Sequence, residues 1–170
     1  MYLCCKFESL DIFGLQLFLF MAIIYQSDDI VKFPQIKRRE ISNWIKSVAA
    51  SLNKKVGDIA CIFCSDQKIL EINIQYLNHD YYTDIITFDY SEGEVISGDL
   101  FISLDTVRSN AEKFGTNYIE ELCRVIIHGI LHLCGLKDKS AEDAKVMREK
   151  ENEALRQLFT PKSPKGDFGV

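Results

Sequence analysis

The sequence predicts a single α/β (α+β) domain in which a small mixed sheet of about four strands packs with about five helices. Its composition is that of an ordinary globular domain, with 47% hydrophobic and 26% charged residues. A length of 170 residues suffices for one domain and is short for two. Short apolar runs alternate along the chain with segments of helical periodicity, in the rough order β-α-β-α-β-β-α-α-α, which is typical of helices packed on one sheet.

The first half of the chain is expected to form two strands and two helices. Met21-Ala22-Ile23-Ile24-Tyr25 leads into the first strand. Apolar residues recur with the period of a helix from Arg38 to Leu52. The apolar run at 59–64 predicts a buried strand, and Ser65 after it is a suitable N-cap for a helix from about Asp66 to Leu77.

A hairpin and a helix are expected to follow. Two short apolar runs, Ile85–Phe88 and Leu100–Ile102, predict strands, and the polar segment 91–98 between them suits a hairpin connection. Ser103 can cap the next helix, which Gly115 ends, because glycine readily adopts the left-handed conformation of a helix C-terminus.

Two further helices complete the prediction. Thr116 is expected to cap a helix from about Asn117 to Cys134. Because that helix is apolar nearly all round, it should be the buried central helix. A capping box at Ser140 predicts a last helix that ends at about Leu158. We interpret this last helix as a scaffold that closes over the central one, with Met147 and Leu155 facing inward.

The cysteines indicate a reducing, cytosolic compartment. Cys61 and Cys64 lie in the apolar run of the second strand, where residues three apart point to opposite faces and cannot readily chelate one zinc ion. We therefore expect buried core thiols rather than a disulfide framework or a zinc site. The chain contains six cysteines, which are Cys4, Cys5, Cys61, Cys64, Cys123 and Cys134.

The chain ends and the net charge limit the possible classes of protein. The apolar run Phe13–Ile24 is too short to span a bilayer, and it lacks the charged region and cleavage site of a signal peptide. We therefore expect residues 1–20 to be an extension upstream of a natural start at Met21, and residues 161–170 to form a flexible tail. A net charge of −5 argues against a strongly basic nucleic-acid binder, so that any such function must come from a local site.

The central helix carries a pattern typical of a metal site. His128 and His132 are four residues apart, so that both imidazoles lie on one helix face and can hold one ion. Gly135 ends the helix, and the following turn can bring Asp138 back as a third ligand. Two imidazoles and one carboxylate leave a fourth zinc position open, which is the pattern of catalytic sites. The alternative is that each histidine is merely buried and hydrogen-bonded.

The residue after the first histidine limits the type of reaction that a metal at this site could catalyse. In peptidases with the H-E-x-x-H motif, this residue is the glutamate that serves as general base. Here it is Gly129, which argues against a peptidase of that type. Zinc with one carboxylate and two neutral imidazoles has a formal charge of +1 and can attract a phosphodiester.

Three motifs, in order, resemble those of the YbeY endoribonucleases, the ribosomal RNA maturation factors of bacteria. His128–Asp138 (HGILHLCGLKD) is similar to the family signature H-G-x-L-H-L-x-G-x-x-H. Asn73–Phe88 (NIQYLNHDYYTDIITF) resembles N-x-x-Y-R-x-K-D-x-P-T-D-V-L-S-F. Gly98–Ser103 (GDLFIS) resembles the strand motif G-D-I-x-I-S. The resemblance covers about residues 21–160.

This resemblance implies a metal-dependent endoribonuclease domain at 21–160 with one catalytic zinc ion held by His128, His132 and Asp138, the last of which is histidine in most members. It implies hydrolysis of single-stranded RNA in the cytoplasm, in maturation of the 16S ribosomal RNA 3′ end and in late quality control of 70S ribosomes. The implied partners are ribosomal RNA and the small ribosomal subunit with its proteins, and no membrane is implied.

The second motif departs from the family at two functional positions. The family arginine falls at Leu77, which cannot hold a phosphate through two hydrogen bonds, and a family lysine falls at His79. His79, on a predicted loop, is a candidate catalytic residue for proton transfer or phosphate contact, or else a solvated loop histidine. Asp80, Thr83 and Asp84 in the same loop are expected to make turn hydrogen bonds.

Lys37, Arg38 and Arg39 at the start of the first long helix are candidate RNA-binding residues, although such a run is more often a solvated face. Two other functions stay open. One is a ribosome-assembly factor that binds RNA, with a largely structural metal and weak cleavage. The other is a metal-dependent hydrolase that acts on a different substrate.

Overall fold

The computed structural model describes residues 22–28, 31–77 and 80–160. The predicted extension at 1–20 and the predicted tail at 161–170 lie outside this part of the chain. The strands and helices are β1 Ile23–Ser27, α1 Arg38–Ser51, β2 Lys55–Cys64, α2 Asp66–Ile72, β3 Ile85–Asp89, β4 Val95–Ser103, α3 Leu104–Phe114, α4 Tyr118–Leu133 and α5 Ala141–Phe159. A π-helical turn, Asn73–Leu77, continues α2.

The four strands form one mixed sheet in the order β1-β2-β4-β3. β1 pairs in parallel with β2, and β2 in parallel with β4, whereas β3 and β4 form the predicted antiparallel hairpin. The prediction of an α+β domain with a small mixed sheet of four strands and five helices is confirmed. β4 starts earlier than predicted, because part of the polar segment 91–98 pairs with β2, beginning at Val95 opposite Lys55.

The two faces of the sheet carry cores of different size. Helices α1, α3, α4 and α5 contribute to the larger core, in which Cys61 is completely buried. The smaller cluster lies under α2 and contains Cys64, Ile69 and Ile86. The two cysteines therefore belong to different cores, as the three-residue spacing in a strand predicts. The Trp44 side chain donates a hydrogen bond of 2.8 Å to the carbonyl oxygen of Ala154 and links α1 to α5.

Most of the predicted helix caps are present, but one is displaced. Ser65, Ser103 and Ser140 each accept a hydrogen bond from the backbone at the start of their helix. At α4 the N-cap is Asn117 and not Thr116, which corrects the prediction. The backbone N–H of Thr116 instead closes the end of α3, so its hydroxyl stays one residue too early to cap α4.

The predicted helix from Asp66 to Leu77 is present over these bounds, but only its first seven residues are α-helical. The regular α-helix ends at Ile72, and the next five residues form the π-helical turn. Asn73, at this transition, is buried, and its side-chain amide donates a hydrogen bond of 2.9 Å to the carbonyl of Tyr81. This bond connects the end of the helix to the segment that leads into β3.

The four cysteines in the described part of the chain are free thiols. Cys61, Cys64 and Cys123 are buried, and burial raises the pKa of the Cys61 thiol to about 12. This agrees with the prediction of core thiols at these positions. Within residues 22–160 as far as they are described, no helix has both the length and the hydropathy to cross a membrane.

Candidate metal centre

Helix α4 lies directly against the sheet because Gly129 has no side chain. A Cβ atom at this position would come within 2.6 Å of Leu100 Cδ2 and 2.7 Å of Ile85 Cδ1. The apolar residues of α4 fill the core between the sheet and the other helices. His128 and His132 are half-buried on the same helix, one turn apart.

The side chains of His128, His132 and Asp138 converge, and we call these three residues the ligand cluster. The two Nε2 atoms are 3.0 Å apart, and they lie 3.6 Å and 3.5 Å from Asp138 Oδ2. A tetrahedral ion with bonds of about 2.1 Å separates its ligand atoms by about 3.4 Å. The three side chains are therefore spaced as ligands that could hold one metal ion.

Local geometry brings Asp138 to the histidines. Gly135 follows α4 with a φ of 97°, a left-handed conformation that favours glycine. The backbone N–H of Leu136 then bonds to the carbonyl of Leu131 at 3.0 Å, so that the chain turns back over the helix end. The turn anticipated from Gly135 is present in the structure.

Hydrogen bonds orient both imidazole rings of the ligand cluster. His128 Nδ1 lies 2.8 Å from Glu151 Oε1, and His132 Nδ1 lies 2.9 Å from the carbonyl oxygen of Leu136. Both partners are oxygen acceptors, so each Nδ1 carries the proton and each Nε2 directs its lone pair towards the cluster centre. Two such lone pairs 3.0 Å apart repel each other unless a positive charge lies near both. This donor set fits a metal ion.

Glu151 dominates the electrostatics around His128. Burial alone lowers the pKa of His128, but the hydrogen bond and the charge of Glu151 outweigh it, and the pKa is raised. Asp84 and Asp138 add to this effect. Glu151 is only 3% exposed, and the Arg148 guanidinium lies 2.9 Å from its second oxygen. A buried carboxylate thus connects the ligand cluster to a surface arginine.

A cavity of about 450 Å³, which we call the His128 cavity, adjoins the ligand cluster. It lies between α3, α4 and α5, and residues from all three helices line it. Its lining includes Asp84, Asn110, Phe114, Thr116, Arg124 and Arg148. The imidazole of His128 belongs both to this lining and to the ligand cluster, so a molecule in the cavity lies next to the candidate metal.

Helix α5 is more than the scaffold that the sequence predicts. Met147 and Leu155 are buried as expected, but Glu151 between them contacts His128, and Arg148 lines the His128 cavity. The sequence contains a signal for Glu151. It stands at the middle of an i, i+4, i+8 stripe whose other members are apolar core residues, and a carboxylate at such a position requires a buried partner.

The remaining candidate residues are His79 and the three basic residues at the start of α1. His79 and the side chain of Leu77 are outside the described part of the structure. Lys37, Arg38 and Arg39 are exposed at the start of α1, where Lys37 Nζ lies 3.4 Å from Glu40 and the Arg38 guanidinium lies over the Phe33 ring. None of these three basic residues is in the described lining of the His128 cavity.

The fold and the ligand cluster together define a class of protein, a single α+β domain with a site that could hold one metal ion. A family model described as Endoribonuclease YbeY matches residues 25–159. The chain belongs to this family, whose members are enzymes that hydrolyse phosphodiester bonds in RNA.

Individual relatives agree over most of the chain. A Bacteroides thetaiotaomicron protein named Endoribonuclease YbeY is 64% identical over 135 residues, which are 79% of this chain and 98% of that protein. A Parabacteroides distasonis protein of the same name is 65% identical over 135 residues, which are 79% of this chain and 94% of that protein. The solution structure of a Thermotoga maritima protein matches with a TM-score of 0.59 at 24% identity and covers 85% of this chain and 99% of its own, which shows the shared fold.

Proposed function

We propose that the chain is a zinc-dependent endoribonuclease that cleaves single-stranded RNA. The observation that carries this proposal is the convergence of three ligand atoms, with both imidazole rings held in the orientation that a metal needs. In this proposal, His128, His132 and Asp138 are the zinc ligands. Membership of the YbeY endoribonuclease family supplies the substrate class.

Zinc suits this donor set better than harder ions do. Two imidazole nitrogens and one carboxylate oxygen are typical zinc ligands, and three protein ligands leave a position open for water or substrate. When bound, zinc would act as a Lewis acid on the scissile phosphate and lower the pKa of a coordinated water molecule. Glu151 keeps the Nδ1 proton on His128, and the Leu136 carbonyl does the same for His132. These two acceptors fix the ring orientations before RNA binds.

The phosphate needs a cation, and in the described lining of the His128 cavity Arg148 is the exposed arginine. Leu77 stands where the family has its arginine. Arg124 lines the His128 cavity but is largely buried, and it already bonds to Asn152 at 2.8 Å and pairs with Glu121 at 3.4 Å. Arg148 is 61% exposed and has the Glu151 carboxylate as its anchor. In this proposal, Arg148 therefore holds the phosphate backbone next to the ligand cluster.

Other sites for RNA contact come from the sequence. His79 is proposed as a group for proton transfer or phosphate contact. Lys37, Arg38 and Arg39 are proposed as contacts to the RNA backbone away from the ligand cluster. Their exposure at the start of α1 is compatible with this role.

The biological role is proposed from the family. The chain would act in the cytoplasm on ribosomal RNA and on the small ribosomal subunit with its proteins, in 16S 3′-end maturation and late 70S quality control. Leu77 favours one second candidate, a ribosome-assembly factor with a structural metal and weak cleavage, because leucine cannot replace the phosphate contacts of arginine.

Cleavage of an end-labelled single-stranded RNA by the full chain tests the proposed function. His132→Ala, purified in parallel, reveals any contaminating nuclease. We expect the wild-type protein to cleave, a chelator to abolish cleavage, and zinc to restore it in the wild type but not in the variant. Equal cleavage by both preparations would contradict intrinsic catalysis. Absence of cleavage together with ribosome binding that survives His132→Ala would favour the assembly factor.

A further inference from the structure

We propose that the His128 cavity binds an unstacked nucleobase of the RNA next to the scissile phosphate, and that it selects bases with an exocyclic amino group. This inference rests on the proposed function in taking RNA as the substrate. It adds a base subsite and a base preference to that function. The residues that carry it are Asp84, Asn110, Phe114 and Thr116, all of which line the cavity.

The size and position of the cavity suit a base. A volume of about 450 Å³ is within the range of small-molecule sites. Because His128 lines the cavity and also belongs to the ligand cluster, a base in the cavity places its own backbone phosphate near the candidate metal. Arg148, at the same cavity, is exposed enough to meet that backbone.

Phe114 provides a stacking surface. It is the last residue of α3, it lines the cavity, and it is nevertheless 61% exposed. Stacking of single-stranded bases on aromatic rings is tolerant of sequence, because every base has a π-face. A cation stands near the same ring, since Lys113 Nζ is 5.4 Å from its centroid. The ring and the cation together favour a base joined to a phosphate.

The polar lining presents an acceptor where a base edge would lie. The Asp84 carboxylate receives only long contacts in the described structure, 3.5 Å from Asn110 Nδ2 and 3.4 Å from Thr83 Oγ1, and a carboxylate can accept about four hydrogen bonds. An exocyclic amino group, present in adenine, cytosine and guanine, can donate to it. The corresponding carbonyl of uracil would meet the carboxylate oxygen with repulsion.

Thr116 gives a second, independent indication of a ligand. Its Oγ1 atom is buried and, among the described residues, has no hydrogen-bond partner. The reason is the displaced cap of α4, since Asn117 supplies the cap and leaves the Thr116 hydroxyl unused. A buried hydroxyl without a partner is costly, and a rotation of the Thr116 side chain about χ1 would turn it towards a ligand in the cavity that this residue lines.

Binding and cleavage of short labelled RNAs test this subsite. The probes are single-stranded hexamers of A, C and U and one hexamer with abasic positions, and their binding is measured by fluorescence anisotropy on the metal-free full chain, which should not cleave them. We expect the A and C hexamers to bind at least about fivefold more tightly than the U and abasic hexamers. Phe114→Ala should weaken binding of the A hexamer about tenfold. Phe159→Ala is the matched control, because Phe159 is a similarly exposed phenylalanine at the end of α5.

Two further variants test the polar contacts. Asp84→Asn keeps the shape but adds N–H donors, so the preference for A over U should fall to one or below. Thr116→Val keeps the shape without the hydroxyl and should weaken binding of the A and C hexamers. Equal binding of all hexamers by the wild type would overturn the base preference. Unchanged affinity in Phe114→Ala would overturn the subsite itself.

Cleavage of the same hexamers separates the two proposals. If the wild type prefers A and C in binding but cleaves none of the hexamers, the endoribonuclease proposal fails and the base subsite stands. If it cleaves all hexamers equally and binds them equally, the endoribonuclease proposal stands and the base subsite fails.

Discussion

Replacing Glu151 by glutamine tests whether α5 tunes the ligand cluster. The amide is nearly the same size as the carboxylate and can still accept the 2.8 Å hydrogen bond from His128 Nδ1. The negative charge that makes this imidazole a stronger base is lost, and Arg148 loses a charged partner 2.9 Å away. Loss of such outer partners commonly reduces metal affinity about 10- to 100-fold, which is about 1.4–2.7 kcal/mol of binding free energy. We expect a loss of zinc affinity within this range.

The assay is a zinc titration of the metal-free full chain in competition with a chromophoric chelator. Glu149→Gln is the matched control, because Glu149 is an exposed residue two positions away on the same helix. Its zinc affinity should equal that of the wild type. Circular dichroism of Glu151→Gln should show a native helix content. A folded Glu151→Gln protein that binds zinc as tightly as the control would refute the role assigned to this carboxylate.

Three other properties can be predicted from the structure. The pKa of His128 in the folded state is raised above 6.5, so the stability that its charged form contributes is complete below about pH 6.5 and is lost as the pH rises through the raised value. Denaturant unfolding of the metal-free chain should therefore show a free energy of unfolding that falls over this pH range. Glu151→Gln should make that fall smaller. Burial raises the pKa of Cys61 to about 12, so peptide-resolved alkylation of the folded protein should label Cys61 more slowly than the half-buried Cys134, and equal rates would argue against the buried position. Gly129→Ala places a Cβ 2.6 Å from a leucine side chain, and this clash should outweigh the higher helix propensity of alanine. We expect the free energy of unfolding to fall by about 1–2 kcal/mol. An unchanged free energy of unfolding would contradict the close packing of α4 on the sheet.

The ligand cluster could be anticipated because its geometry is local. The spacing of His128 and His132 fixes them on one helix face, and Gly135 fixes the turn that returns Asp138. Each step depends on a few consecutive residues. The whole arrangement spans eleven positions, so no long-range packing had to be inferred.

The remainder of the site depends on contacts between distant parts of the chain. Glu151 reaches His128 across 23 positions, and the His128 cavity exists only where α3, α4 and α5 meet. The stripe of Met147, Glu151 and Leu155 indicates that a buried partner exists, but it does not identify that partner. Only the packing of α5 on α4 assigns it to His128.

Two local details differ from the sequence prediction, the N-cap of α4 and the type of helix after Ile72. Thr116 and Asn117 are both good N-caps, and the choice is made by the end of α3, which uses the backbone N–H of Thr116. The periodicity from Asp66 onward continues past Ile72, yet buried Asn73 and its bond to the Tyr81 carbonyl accompany a change to a π-helical turn. Neither outcome can be determined from periodicity alone.

The most direct test of the central claim is the RNA cleavage rate of the metal-free chain as a function of added zinc. If the ligand cluster holds one catalytic ion, the rate rises linearly and stops rising at one equivalent of zinc. His132→Ala should then show no rise over the same range. A rate independent of zinc, or an equal response in His132→Ala, would contradict the assignment of His128, His132 and Asp138 as the site of catalysis.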